Sequence, residues 1–102
     1  MKQGDIHLVT LDPVVSEQAK NRPCVIVSTN MINEYANTVT IAPLSTKKRD
    51  KPFPFHIPHK KSIIKVEHVR TVDKSRLIKK TDYTPPKTLR KIKKALATLF
   101  DL

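Results

Sequence analysis

Scarcity marks this chain: one cysteine, one glycine, no tryptophan, and only nine acidic residues against twenty lysines and arginines. The lone Cys24 excludes an internal disulfide and any Cys-pair zinc site. Its place in the apolar run Cys24-Val25-Ile26-Val27 reads as a small core residue in a reducing compartment. One glycine leaves no Gly-rich phosphate loop and no Gly-x-Ser-x-Gly nucleophile elbow, so turns must be built from Asp, Asn, Pro and Ser. No apolar run approaches membrane-spanning length. The opening MKQGDIHLVTL has neither the apolar core nor the small-residue cleavage site of a signal peptide, so a cytoplasmic protein with no membrane contact is expected.

The shortage of acid leaves a formal net charge of +11 and a pI near 10.1. A field of that size captures polyanions, which makes RNA, DNA or an acidic protein the natural partner. The 102 residues allow one modest core, and 38% hydrophobic with 28% charged residues is a folded rather than a disordered balance.

Residues 6–11 are apolar on most of both faces and stop at Asp12-Pro13, the pattern of a strand covered on two sides. A second strand over 24–28 is entered through Pro23, which holds Arg22 extended at the strand mouth. A third, 39–42, is ended by Pro43, leaving Leu44-Ser45-Thr46 at its carboxyl edge before the basic loop 47–51. Prolines confine 53–58 to an edge or bulged strand, 63–69 continues the β pattern, and 70–73 leads into a short turn near 74–77. Thr84 is the expected N-cap of an amphipathic helix with Pro85-Pro86 in its first turn. Its core stripe is Leu89, Ile92, Ala95, Leu96, Leu99 and Phe100, and its outer, solvated face carries Lys87, Arg90, Lys91, Lys93 and Lys94. The predicted class is α+β, mainly β: a small antiparallel barrel with a C-terminal helix packed on it.

Cleaving RNA through its own 2′-hydroxyl requires alignment, proton movement and stabilisation of a charged phosphorane, and no metal or cofactor. A guanidinium offers a fork of donors matched to phosphate oxygens, so Arg22 is a candidate transition-state clamp and proton donor. Its structural alternative is an ion pair with Glu17 or Asp12 at the barrel rim. A hydroxyl from Ser45 or Thr46 would reach the same phosphate if the second and third strands are neighbours. His56 and His59, in HIPH, lack further ligands nearby, so no metal site is expected. His7 and His68 read as satisfied strand side chains, and Arg70, Asp73 and Arg76 as a structural ion-pair and turn network.

Gly4-Asp5, Asp12-Pro13, Glu17-Gln18 and Arg22-Pro23 leading into an apolar strand, with the later block VEHVRTVDKSRL, together resemble the PemK/MazF family of toxin endoribonucleases. The resemblance implies an SH3-like barrel and one toxin domain over 1–102. It implies a sequence-selective, metal-independent endoribonuclease cutting single-stranded mRNA to 2′,3′-cyclic phosphate and 5′-OH ends. It assigns catalysis to Arg22 with Ser45 or Thr46. Glu17 and Gln18 would shape the RNA groove and hold the arginine, although Val15 replaces the usual glycine. Lys65 would position phosphate and Glu67 contact a base or transfer a proton. Lys47 and Lys48 would follow the RNA backbone. A homodimer and an acidic antitoxin complete the expectation.

Two alternatives stand beside it. One is a CcdB-like gyrase poison of the same fold, against which the missing Trp-Gly pair speaks. The other is a noncatalytic RNA-binding barrel. With five aromatic residues, RNA recognition should rest on hydrogen bonds and charge more than on stacking.

Overall fold

The computed structural model describes residues 1–11, 20–47 and 51–102. Two apolar clusters account for its architecture. In β2 (Lys20–Ile26), Cys24 and Ile26 enter one cluster while Val25 enters the other; in β3 (Thr38–Ser45), Val39 and Ile41 separate from Ala42 and Leu44 in the same way. The first cluster adds Val9 of β1 (Asp5–Leu11) and Val72 of β6 (Arg70–Asp73). The second adds Ile57 of β4 (His56–His59), Ile64 of β5 (Ser62–Lys65), and Ile92 and Ala95 of α2 (Pro86–Leu99). A sheet buried on both faces is what the double apolar pattern required, and each fully buried Val or Ile contributes about 1.5–3 kcal/mol.

The strands form one antiparallel path, β4-β5-β3-β2-β1-β7, with β6 pairing to β3 and β7 spanning Leu77–Tyr83. The described ladders leave β4 and β7 as ends, and side chains bridge the gap. Asp82 of β7 accepts from Lys60 Nζ at 2.8 Å and lies 3.0 Å from His59 Nε2. Those contacts, with a backbone N–H from Tyr83, hold the Asp82 carboxyl well below the usual carboxylate range. The expected, mainly antiparallel sheet with its C-terminal helix is therefore present; its described ladders do not close into a full barrel, and a salt link spans the seam.

Both prolines expected at strand ends lie inside strands. Pro23 pairs with Leu8 in mid-β2, but the β2–β3 ladder begins only at Cys24. Val27 N donates to Thr40 O, so alternation points the Pro23 nitrogen toward the same side, where no ladder partner stands. Pro43 sits where β3 changes partners, from β6 at 38–41 to β5 at 44–45, and its missing N–H falls in that gap.

Three further features depart from the sequence pattern. The 63–69 run breaks after β5 into a 3₁₀ turn, Val66–His68, while a second such turn, Lys74–Arg76, matches the expected one. The helix α1 (Asn30–Tyr35) and strand β7 carry no clear apolar period; β7 is almost wholly exposed and held by its ladder to β1. Thr84 caps nothing. Its N–H and Oγ1 both donate to Gly4 O, at 2.8 and 2.9 Å, and Pro85 takes the N-cap position of α2. No described helix is long and apolar enough to cross a membrane.

Candidate active site

Strand adjacency brings the candidate residues together. The β2–β3 ladder ends at Cys24 paired with Pro43, two residues short of Arg22 on one strand and of Ser45 on the other. Pro23 keeps the Arg22 backbone extended, while β5, paired to β3 through Leu44 and Ser45, delivers Lys65 one residue beyond Ile64. Arg22, Ser45 and Lys65 line a cleft of about 380 Å³ together with His68 and Arg70. The same three also line an adjoining pocket of about 390 Å³ that adds Thr46, Lys47 and Ser62. The two cavities form one cationic trough with Arg22 and Ser45 at its centre.

Arg22 is exposed, and no described residue pairs with its guanidinium. Ser45 Oγ accepts the Lys47 N–H at 3.1 Å, which occupies an oxygen lone pair and leaves the hydroxyl proton to donate elsewhere. Thr46 and Lys47 are exposed and line only the adjoining pocket. Glu67 is not among the residues lining either cavity. Its Oε2 lies 2.7 Å from His56 Nε2, while Glu67 Oε1 and His56 Nδ1 are buried without a hydrogen-bond partner. Glu17, Gln18 and Lys48 lie outside the described residues.

His68 and Arg70 line the cleft, whereas the sequence pattern read one as a satisfied strand side chain and the other as structural. The signal that reveals them is a change of period. Strand alternation ends at Val66, and the next apolar residue, Val69, follows three positions later, so the chain turns and His68 becomes exposed.

Residues 2–100 match the family described as the PemK-like, MazF-like toxin of type II toxin-antitoxin systems. The chain belongs to this family. An Endoribonuclease MazF of Staphylococcus saprophyticus is 33% identical over 105 residues, covering 94% of this chain and 88% of the relative. Among solved structures, a MazE-MazF complex from Deinococcus radiodurans superposes with a TM-score of 0.85 at 19% identity, over 100% of this chain and 96% of that one. An endoribonuclease bound to its cognate antitoxin, from a mycobacterial species, gives 0.84 at 23% identity over 100% and 96%. At such identities these structures speak to the fold.

Other nucleophiles of this PemK/MazF protein are quiet. Burial pushes the Cys24 thiol up to about 12, so it stays protonated and inert. His56 and His59 face separate carboxylates, and among the described residues no group of three or more His, Cys, Asp or Glu side chains converges on one point.

Proposed function

We propose that this PemK/MazF-family protein is a sequence-selective, metal-independent endoribonuclease, the toxin of a toxin–antitoxin pair, acting on single-stranded RNA in the cytoplasm. The observation that carries this reading is that Arg22 of β2 and Ser45 of β3 line both cavities of one cationic trough. The RNA supplies the nucleophile: its 2′-oxygen attacks phosphorus as the 5′-oxygen departs, giving a 2′,3′-cyclic phosphate and a 5′-OH. The Arg22 fork binds the equatorial oxygens where charge accumulates, Ser45 donates its hydroxyl proton to one of them, and Lys65 holds the phosphate as a point charge. Thr46 and Lys47 extend the backbone contacts, and in this reading Lys48, Glu17 and Gln18 also serve RNA binding. Glu67 acts from outside the cleft, fixing the turn that carries its neighbours. Single strands suit the trough because their bases can be splayed and read.

Residues 1–102 work as one toxin domain, and the sharing of β2 and β3 between both core clusters supports this. Two copies form the working unit. An apolar groove of about 440 Å³, lined by Val27, Val69, Leu96 and Phe100, shares Arg70 with the cleft, so a second copy seated there prolongs the RNA path. An acidic antitoxin laid across that path, drawn by the +11 charge, blocks it.

Incubating purified protein with total RNA in EDTA and sequencing the ends tests the reading. Wild type is expected to leave 5′-OH and cyclic-phosphate ends at a recurrent motif. Arg22→Ala should lower the rate by on the order of a hundredfold or more with the fold intact. Uncut RNA removes the nuclease reading, and a fully active Arg22→Ala removes this mechanism.

A further inference from the structure

The cleft of about 380 Å³ is lined by three cations and one alcohol, and cleavage also needs a group that accepts a proton. Arg22, Lys65 and Arg70 offer donors and no acceptor, and Ser45 Oγ already accepts the Lys47 N–H. The nearest described carboxylate in sequence, Glu67, is held by His56 and does not line the cleft. That leaves His68. It closes the 3₁₀ turn Val66–His68, which is fixed by Val66 in the core, by Val66 N donating to Phe55 O at 2.9 Å, and by Val69 N donating to Val66 O at 3.1 Å. The side chain is exposed at the cleft and makes no hydrogen bond to a described residue. Imidazole is the one side chain that ordinarily both accepts and returns a proton near neutrality.

We infer that His68 is the general base that takes the proton from the attacking 2′-hydroxyl, a role that rests on the nuclease reading above. As the 2′-O–P bond forms and the P–O5′ bond breaks, the hydroxyl proton passes to the imidazole. The departing O5′ takes a proton from water, and the imidazolium proton neutralises the hydroxide left behind. The enzyme returns to its starting state, and the RNA gains and loses one proton. Glu67 is then a positioning residue, pinning to His56 the turn that presents His68.

The test uses the full chain and a short RNA containing the motif mapped with wild type. kcat and KM are measured across pH 5 to 8 for wild type, His68→Gln and His68→Ala, alongside binding of the uncleavable 2′-deoxy analogue. Melting curves establish that each variant is folded. His68→Gln should lower kcat by about 10²–10⁴-fold and flatten the acid limb of the profile, with analogue binding unchanged. Added imidazole should restore part of the His68→Ala rate. The inference is overturned if His68→Gln keeps the wild-type kcat and pH profile, or if the loss lies wholly in KM and analogue binding, which would make His68 a reader of RNA. Wild type that leaves RNA uncut ends the nuclease reading itself. An active His68→Gln beside an inactive Arg22→Ala ends this inference alone.

Discussion

The hydroxyls of Ser45 and Thr46 are one residue apart but face different surroundings. Ser45 lies in both halves of the trough and has its oxygen oriented by Lys47 N; Thr46 stands exposed at one rim. Ser45→Ala is therefore expected to cost about 10²-fold in kcat, the scale of one lost transition-state donor, while Thr46→Ala changes it little. Single-turnover cleavage of one substrate by the two variants decides the matter, and the reverse ranking would move the active hydroxyl to Thr46. His7 illustrates a different situation, a partly buried imidazole. Burial lowers its pKa, with Asp5 opposing and the N-terminus and Lys80 reinforcing the shift, and its Nε2 is buried without a partner. The unfolded chain then binds a proton at His7 more readily than the native one. This contribution to stability is intact above the ordinary histidine range near ~6.5 and is lost as pH falls below it. Urea midpoints at pH 7.5 and 5.5 should converge more for His7→Asn than for wild type. Parallel behaviour of the two proteins would exclude His7 as the cause.

At the scale of elements, the only glycine joins three of them. Gly4 has φ 93°, its N–H donates to Ile26 O, its carbonyl accepts both Thr84 donors, and an added Cβ would stand 3.0 Å from Thr84 Oγ1 and 3.3 Å from Leu89 Cδ2. The strands and α2 are thus tied at a point where any side chain is strained and crowded. Gly4→Ala should lower stability by about 1–3 kcal/mol, seen as a drop in Tm on thermal melting. An unchanged Tm would mean that the junction relaxes at no cost. Elsewhere the shortage of glycine is met differently. The β4–β5 turn places Lys60 at φ 53°, a left-handed position glycine usually takes, and Asp82 anchors its ammonium at 2.8 Å. The sequence pattern expected Asp, Asn, Pro or Ser at such turns, and nothing local marks Lys60 for this one. Its contact comes from a strand at the far end of the sheet.

For the whole molecule, charge and exposed apolar surface act together. Phe100 and Leu96 belong to the helical stripe read as core, yet Phe100 is 61% exposed and lines the groove that meets the cleft at Arg70. The stripe is longer than the core beneath it, because α2 buries only Ile92 and Ala95 fully. Light scattering should give a dimer for wild type and a monomer for Phe100→Asp at the same concentration, since a carboxylate placed in that groove is costly to desolvate. Equal masses would exclude this face as the interface.

The sequence by itself determined the class and the chemistry on offer. Doubly apolar strands demand a sheet covered on both sides, and helical spacing from Leu89 to Phe100 places a helix on it, while Arg22 and the hydroxyls of Ser45 and Thr46 are the donors that the family resemblance nominates for phosphate. The sheet and the helix follow from local periodicity and side-chain type, which the chain carries at each position. Only the tertiary structure decided which groups meet. That Arg22 and Ser45 line one trough depends on β2 and β3 lying side by side. The withdrawal of Glu67 from the cleft depends on His56, eleven residues away, and the exposure of His68 depends on where the 63–69 run turns. Pro23 and Pro43 were legible as breakers of hydrogen-bond ladders, but their places inside strands follow from which neighbour is missing beside them. Contacts of this kind are fixed by elements distant in sequence, and no local pattern carries them.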